Sequence, residues 1–134
     1  MTTPDRLHEF ARSYTAAWCS QQPARVAEHY AVDGSLTING GTPSVGRDAI
    51  TEAAQSFMSA FPDMRVLLDK VVPGEPAEYR WTLVGTNTGS GGTGNRVRIS
   101  GFEAWTLGDD GLIAASLGNF DQVEYDRQIE HGVE

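Results

Sequence analysis

The apolar pattern of this chain keeps mostly to the helical period as far as Phe61 and to the strand period beyond it, and that change limits what it can fold into. From Asp5 to Cys19, Leu7, Phe10, Ala11, Tyr14, Ala17 and Trp18 recur at helical spacing and gather on one helix face. Pro23 suits a first helical turn, where its missing N–H loses no bond. Val26, Ala27 and Tyr30 then predict a short helix ending before the turn signal Asp33-Gly34. Ser35 to Asn39 alternates, with Leu36 and Ile38 on one side, as a strand does. Ile50, Ala53, Ala54, Phe57 and Phe61 restore the helical period from Arg47 until Phe61-Pro62 stops it. Beyond that point the chain is β-rich, over Met64 to Val72, Glu78 to Asn87, Arg96 to Leu107 and Leu112 to Phe120. Pro73-Gly74, a glycine-rich stretch and Asp109-Asp110-Gly111 separate these segments, and connections this short predict an antiparallel meander. Helices first and strands later give an α+β fold with the helices on one face of a curved antiparallel sheet. With 134 residues and neither repeat nor linker, residues 1–134 read as a single domain.

Charge and composition then exclude whole classes of function. The net charge is -8, and only Arg96 and Arg98 lie close together among the basic residues, so a nucleic-acid backbone is not an expected partner. The longest uncharged run, Trp81 to Asn95, is rich in Gly, Thr and Asn over Val84 to Asn95, so no membrane span is expected. The first residues lack a basic region followed by an apolar one, which is not how a signal peptide reads. Cys19 is the single cysteine, and His8, His29 and His131 stand at no metal-ligand spacing. The expectation is a cytoplasmic protein with no metal and no cofactor. Gly89 to Gly94 spells G-x-G-x-x-G, but a strand pattern follows it where a dinucleotide site needs a helix, so it reads as a hairpin tip near the mouth of the fold.

Several stretches carry a family resemblance. They are Val45-Gly46-Arg47-Asp48-Ala49-Ile50, Phe61-Pro62-Asp63, Arg80-Trp81-Thr82-Leu83-Val84-Gly85-Thr86-Asn87-Thr88-Gly89, Ser100-Gly101-Phe102-Glu103-Ala104-Trp105 and Asp110-Gly111-Leu112-Ile113. In this order the chain resembles the SnoaL-like polyketide cyclases of the nuclear-transport-factor-2-like superfamily, also described as cystatin-like. The resemblance implies a cone: a bent sheet wrapped around the N-terminal helices, open at one end to a pocket, in a homodimer joined through the outer sheet face. It implies a small apolar or carbonyl-bearing ligand, polycyclic in the cyclases, and metal-free chemistry in which a proton moves α to a carbonyl. Such folds also include members that only bind a ligand or a partner. Two departures qualify the likeness. Matching Asp121 to the second aspartate of the cyclases' last strand puts Gly118 at their acid/base position. Matching Ser100-Gly101 puts Glu103 and Trp105 where the cyclases carry Gln and His. The limonene-type epoxide hydrolases need an R-x-D pair where Arg80-Trp81-Thr82 stands, and the aspartate that Gly118 replaces. Neither activity is therefore expected of the chain in its relatives' form.

Glu103 and Asp121 are the candidate catalytic residues. Glu103 lies between Phe102, Ala104 and Trp105 in a strand expected to be buried, where desolvation raises a carboxyl pKa into the range useful for a general acid or base. The other reading places it at the strand's rim or in an ion pair with Arg80 or Arg98. Asp121, three residues before Glu124, reads first as a helix N-cap and second as a polar group of the pocket. Tyr14, Trp18, Phe57, Trp81 and Trp105 are candidate ligand-binding aromatics, with Asn39 and Asn119 as possible hydrogen-bond donors to a ligand carbonyl.

Overall fold

A computed structural model describes residues 4–133. Three helices and two strands precede the meander: α1 (Pro4–Cys19), α2 (Pro23–Ala27), β1 (Tyr30–Ile38), β2 (Ser44–Val45) and α3 (Arg47–Ala60). The strands β3 (Arg65–Val72), β4 (Ala77–Thr86), β5 (Arg96–Leu107) and β6 (Ile113–Phe120) follow, and α4 (Gln122–His131) ends the fold. All six strands form one sheet in the order β2-β1-β6-β5-β4-β3. Leu7, Ala11, Tyr14 and Trp18 of α1 and Ile50, Ala54 and Met58 of α3 are buried in one core with Leu83, Val97, Ile99 and Trp105 of the sheet. The mixed α+β architecture and the helical faces therefore follow the apolar periodicity.

Two readings of the N-terminal half need correction. Tyr30 opens β1 rather than closing the short helix, and Asp33-Gly34 lies inside that strand. There the pairing with β6 shifts register between Tyr30 and Ser35, and a Cβ on Gly34 would stand 2.7 Å from the Ile113 carbonyl oxygen. The turn-type residues thus serve a bulge and a close backbone approach. The sheet is also not antiparallel throughout, because β1 runs parallel to β6. The meander from β3 to β6 is antiparallel, as its short connections require. The residues between β1 and β6 impose no relative direction, so β6 turns back from β5 and lies alongside β1 in the same sense.

The glycine-rich connection between β4 and β5 is tied down on both sides. Asn87 Oδ1 accepts from Thr93 N (2.9 Å), and Asn87 Nδ2 donates to the Ala60 carbonyl (3.1 Å). Asn95 Nδ2 donates to the carbonyl of Ile129 in α4 (2.9 Å). That helix starts at Asp121, whose Oδ1 accepts from Glu124 N (3.0 Å), and ends at Gly132. Arg98 N, on the part of β5 beyond the end of β6, donates to Gln128 Oε1 (2.7 Å). In this way α4 satisfies a strand edge that β6 leaves open.

The outer sheet face mixes polar and apolar groups. Arg80 pairs with Glu78 and lies over the Phe102 ring, and Thr82 donates to Asp69 Oδ2 (2.6 Å). Leu117 is 54% exposed beside them. Among the described residues no helix is long and apolar enough to cross a membrane.

Candidate functional site

Strand register explains how a carboxylate comes to be inside this fold. Side chains alternate across a strand, so residues paired between neighbouring strands share a face. One inward row contains Tyr79, Glu103, Gly118 and Ile38, from β4, β5, β6 and β1. The next row on one side holds Ala77, Trp105, Ser116 and Leu36, and the next on the other holds Trp81, Gly101 and Phe120. Glu103 is 6% exposed and points inward, to a cavity that no Lys, Arg or His lines among the described residues. This disposes of the rim and of an ion pair with Arg80 or Arg98, since Arg80 pairs with Glu78 on the opposite face.

Neutral donors hold the Glu103 carboxyl from one side. Its Oε1 accepts from Ser116 Oγ (2.7 Å), Tyr14 Oη (2.9 Å), Trp105 Nε1 (3.0 Å) and, more distantly, Tyr30 Oη (3.4 Å). Its Oε2 accepts only from Tyr14 Oη (3.1 Å) among the described residues, through the same hydroxyl hydrogen. Tyr14 and Tyr30 are themselves 2.8 Å apart, so Tyr30 can donate to Tyr14 while Tyr14 donates to the carboxyl. One carboxyl oxygen is therefore crowded with donors and the other keeps lone-pair capacity.

Burial and hydrogen bonding push the Glu103 pKa in opposite directions. Desolvation, the larger effect, raises it, while the bonds from Trp105, Ser116, Tyr14 and Tyr30 lower it, and the net displacement is upward from 4.5. Burial, together with the charge of Glu103, lifts the Tyr14 and Tyr30 phenols well above 10, so both remain donors. The site combines a carboxyl with raised proton affinity and phenols that do not ionise.

On its other side Glu103 meets an apolar cavity of about 60 Å³. Trp18, Phe57, Tyr79, Trp81, Phe120 and Tyr125 supply aromatic walls, and Leu36, Val66, Leu83 and Ile99 fill between them. Tyr125 comes from α4 and packs edge-on against Phe120 (5.4 Å) and Phe61 (6.3 Å). This helix thereby adds a wall of the cavity. For scale, an apolar cavity of about 150 Å³ takes up benzene. A ketone of six heavy atoms, which is of benzene's size, needs these aromatic side chains to give way on entry, and a polycyclic ligand does not fit without their outright displacement.

The candidate residues therefore separate into three groups. Glu103, Trp18, Phe57 and Trp81 line the cavity. Tyr14 and Trp105 are fully buried and support Glu103 from behind. Trp105 stacks on Tyr79 at 4.8 Å and packs edge-on against Phe10 at 5.5 Å. Asn39, Asn119 and Asp121 lie away from the cavity. Asn39 accepts from Phe120 N (2.8 Å) and donates to Gln122 Oε1 (3.0 Å), so its amide is spent on joining the ends of β1, β6 and α4. Asn119 lies on the outer face, opposite in parity to Gly118, and Asp121 is an exposed helix cap. The sequence reading overlooked Tyr30 and Ser116 as donors, and Tyr125 as a wall. Parity along β6 could have found Ser116, which shares a face with Gly118. Among the described residues no three His, Cys, Asp or Glu side chains gather into a metal-binding group.

Comparison with known proteins follows from this geometry. A hypothetical protein with a ketosteroid isomerase-like fold from Catenulispora acidiphila, solved with trimethylamine, superposes with a TM-score of 0.79 at 17% identity, over 96% of this chain and 94% of its own. A protein assigned as a SnoaL-like polyketide cyclase from Jannaschia sp. CCS1 gives 0.81 at 16% identity, over 98% and 97%. The epoxide hydrolase/cyclase-like enzyme SalBIII, of pyran ring formation in salinomycin, gives 0.78 at 16% identity, over 92% and 96%. At such identities these likenesses show a shared fold. A search of the curated proteins gives no match. The SnoaL-like domain family matches residues 11–116, which span both Tyr14 and Glu103, and the chain belongs to that family.

Proposed function

We propose that this protein binds a small apolar molecule bearing one carbonyl group and moves a proton on the carbon α to it, with Glu103 as acid and base. The observation that carries this reading is a single carboxyl at the wall of an apolar cavity, with one oxygen saturated by donors and the other with capacity to spare. Raised proton affinity suits such a group to take a proton near neutral pH and return it. Tyr14, Tyr30, Ser116 and Trp105 hold it in place, so no reorientation is needed as its charge changes. The reading also includes a homodimer through the outer sheet face, supported by Leu117 at 54% and Leu67 at 39% exposure. The test is deuterium uptake at the α carbons of cyclopentanone in D₂O, followed by proton NMR. We expect the protein to accelerate uptake and Glu103→Gln, which keeps the shape, to lower the rate ~100-fold or more. Uptake by the natural protein no faster than in buffer refutes the reading.

A second reading is non-catalytic. Six aromatic rings around one carboxylate also suit a small alkylammonium ion, through cation–π contact and charge, and a structural neighbour was solved with trimethylamine. The two readings give opposite titration behaviour. A bound cation draws the Glu103 pKa down, whereas a neutral ketone does not. Calorimetric titration with trimethylammonium chloride and with cyclopentanone, each at two pH values, separates them.

A further inference from the structure

Two glycines lie on the inward face near Glu103, and they differ in what they are for. A Cβ on Gly101 would stand 2.4 Å from the Asn119 carbonyl oxygen and 2.6 Å from Trp81 Cζ2, so Trp81 can lie where it does only over a bare backbone. Gly118 meets no such demand. Its φ lies outside the left-handed region, and a Cβ there would be 3.6 Å from the Thr37 carbonyl oxygen, 3.7 Å from Glu103 Cγ and 3.9 Å from Ile38 Cγ1. Those are ordinary contacts that any alanine could make. Glycine within a central strand loses chain entropy on folding and packs nothing, so the fold gains nothing visible from its presence.

What Gly118 does leave is room, and the room adjoins the carboxyl. Gly118 pairs directly with Glu103 across β5 and β6 and lines the same cavity. β6 is flanked by β1 and β5, and the Gly118 carbonyl already accepts from Asn39 N (2.8 Å). A wall whose backbone is engaged in this way suits carbon-bound hydrogens better than a polar group. We infer that Gly118 is the specificity-determining position of the site, its missing side chain giving the C–H bearing carbon of the ligand access to the Glu103 carboxyl. This rests on the proton-transfer reading above. In the step concerned, the C–H bond breaks, its proton passes to a Glu103 oxygen and its electron pair stays on the ligand as an enolate. Return of a proton from the same carboxyl restores the carbonyl compound.

The test compares Gly118→Ala and Gly118→Ser with the natural protein, using deuterium uptake by acetone and by cyclopentanone and the thermal midpoint of each variant. We expect the midpoint to hold or rise by a few degrees. Uptake by cyclopentanone should fall at least tenfold, more in the serine variant than in the alanine variant, and uptake by acetone should fall less. Unchanged uptake of both ketones in the variants overturns this inference and leaves the proton-transfer reading standing. A midpoint lowered by many degrees shows that the glycine is structural, and also overturns it. Absence of uptake in the natural protein removes the reading and the inference together.

Discussion

Glu103 and Glu124 are the same side chain in opposite settings. Glu103 is buried among neutral donors, and desolvation raises its pKa. Glu124 is at the surface of α4, where the bidentate Arg127 guanidinium (2.9 and 2.7 Å) and then the Gln128 amide (2.7 Å) lower its pKa to about 2. A cation fixes a carboxylate in its charged form and takes it out of proton transfer at neutral pH. Neutral donors hold a carboxyl in position and leave it able to gain or lose a proton. The difference identifies which of the two is equipped for chemistry, before any ligand is considered.

The largest expected effect follows from Glu103→Gln. Between its unfolded value of 4.5 and its higher folded value, the carboxyl binds more protons in the folded chain than in the unfolded one, so its contribution to stability falls as pH rises through that window. The glutamine variant lacks this loss. Its thermal midpoint relative to the natural protein should therefore climb as pH rises above 4.5, and a constant difference would break the contrast. Tyr14→Phe comes next. It removes a donor to both carboxyl oxygens and leaves Tyr30 only its longer contact with Glu103 Oε1, at a cost of ~2 kcal/mol by denaturant unfolding. It should also move the Glu103 titration further upward, as loss of a bond to the charged form requires. A stability loss with no shift in that titration would mean that Tyr14 only packs.

Smaller effects belong to the C-terminal helix. Asp121→Ala should cost ~1 kcal/mol of stability, the usual worth of a helix cap, with deuterium uptake nearly unchanged. A large loss of uptake at unchanged stability would return Asp121 to the site. Glu124→Gln should have the smallest effect, because its ion pair is exposed to solvent. Its sign is nevertheless diagnostic. With a depressed folded pKa, Glu124 stabilises above its unfolded value of 4.5, and that contribution is lost as pH falls towards about 2. The midpoint difference between the natural protein and Glu124→Gln should therefore shrink in acid, opposite in slope to the Glu103 pair.

What could be read from the sequence was local. The buried stripe of α1 follows directly from its spacing, β5 runs from Arg96 to Leu107 as its composition suggests, and Asp121 caps a helix with Glu124 at the required interval. The apolar flanks Phe102, Ala104 and Trp105 also marked Glu103 as the carboxyl to consider, in a strand expected to be buried. What escaped depends on contacts between residues far apart in the chain. Tyr30 meets Glu103 across 73 positions, and periodicity cannot anticipate that. Asp33-Gly34 reads as a turn because turns and bulges use the same residue types, and this hid the first half of β1 along with Tyr30. The parallel pairing of β1 with β6 was equally out of reach, since strand patterns carry no direction. Asn39 illustrates the converse. A polar residue at a strand end resembles a ligand contact until the backbone group that occupies it is seen.

The central claim is that Glu103 moves a proton inside the cavity, and the pH dependence of cyclopentanone deuterium uptake tests it most directly. The account requires uptake to rise with pH along a single titration whose midpoint lies above 4.5 and matches the Glu103 carboxyl followed by carbon NMR, with the rise absent in Glu103→Gln. A rise that persists in the glutamine variant, or a midpoint at or below 4.5, contradicts it.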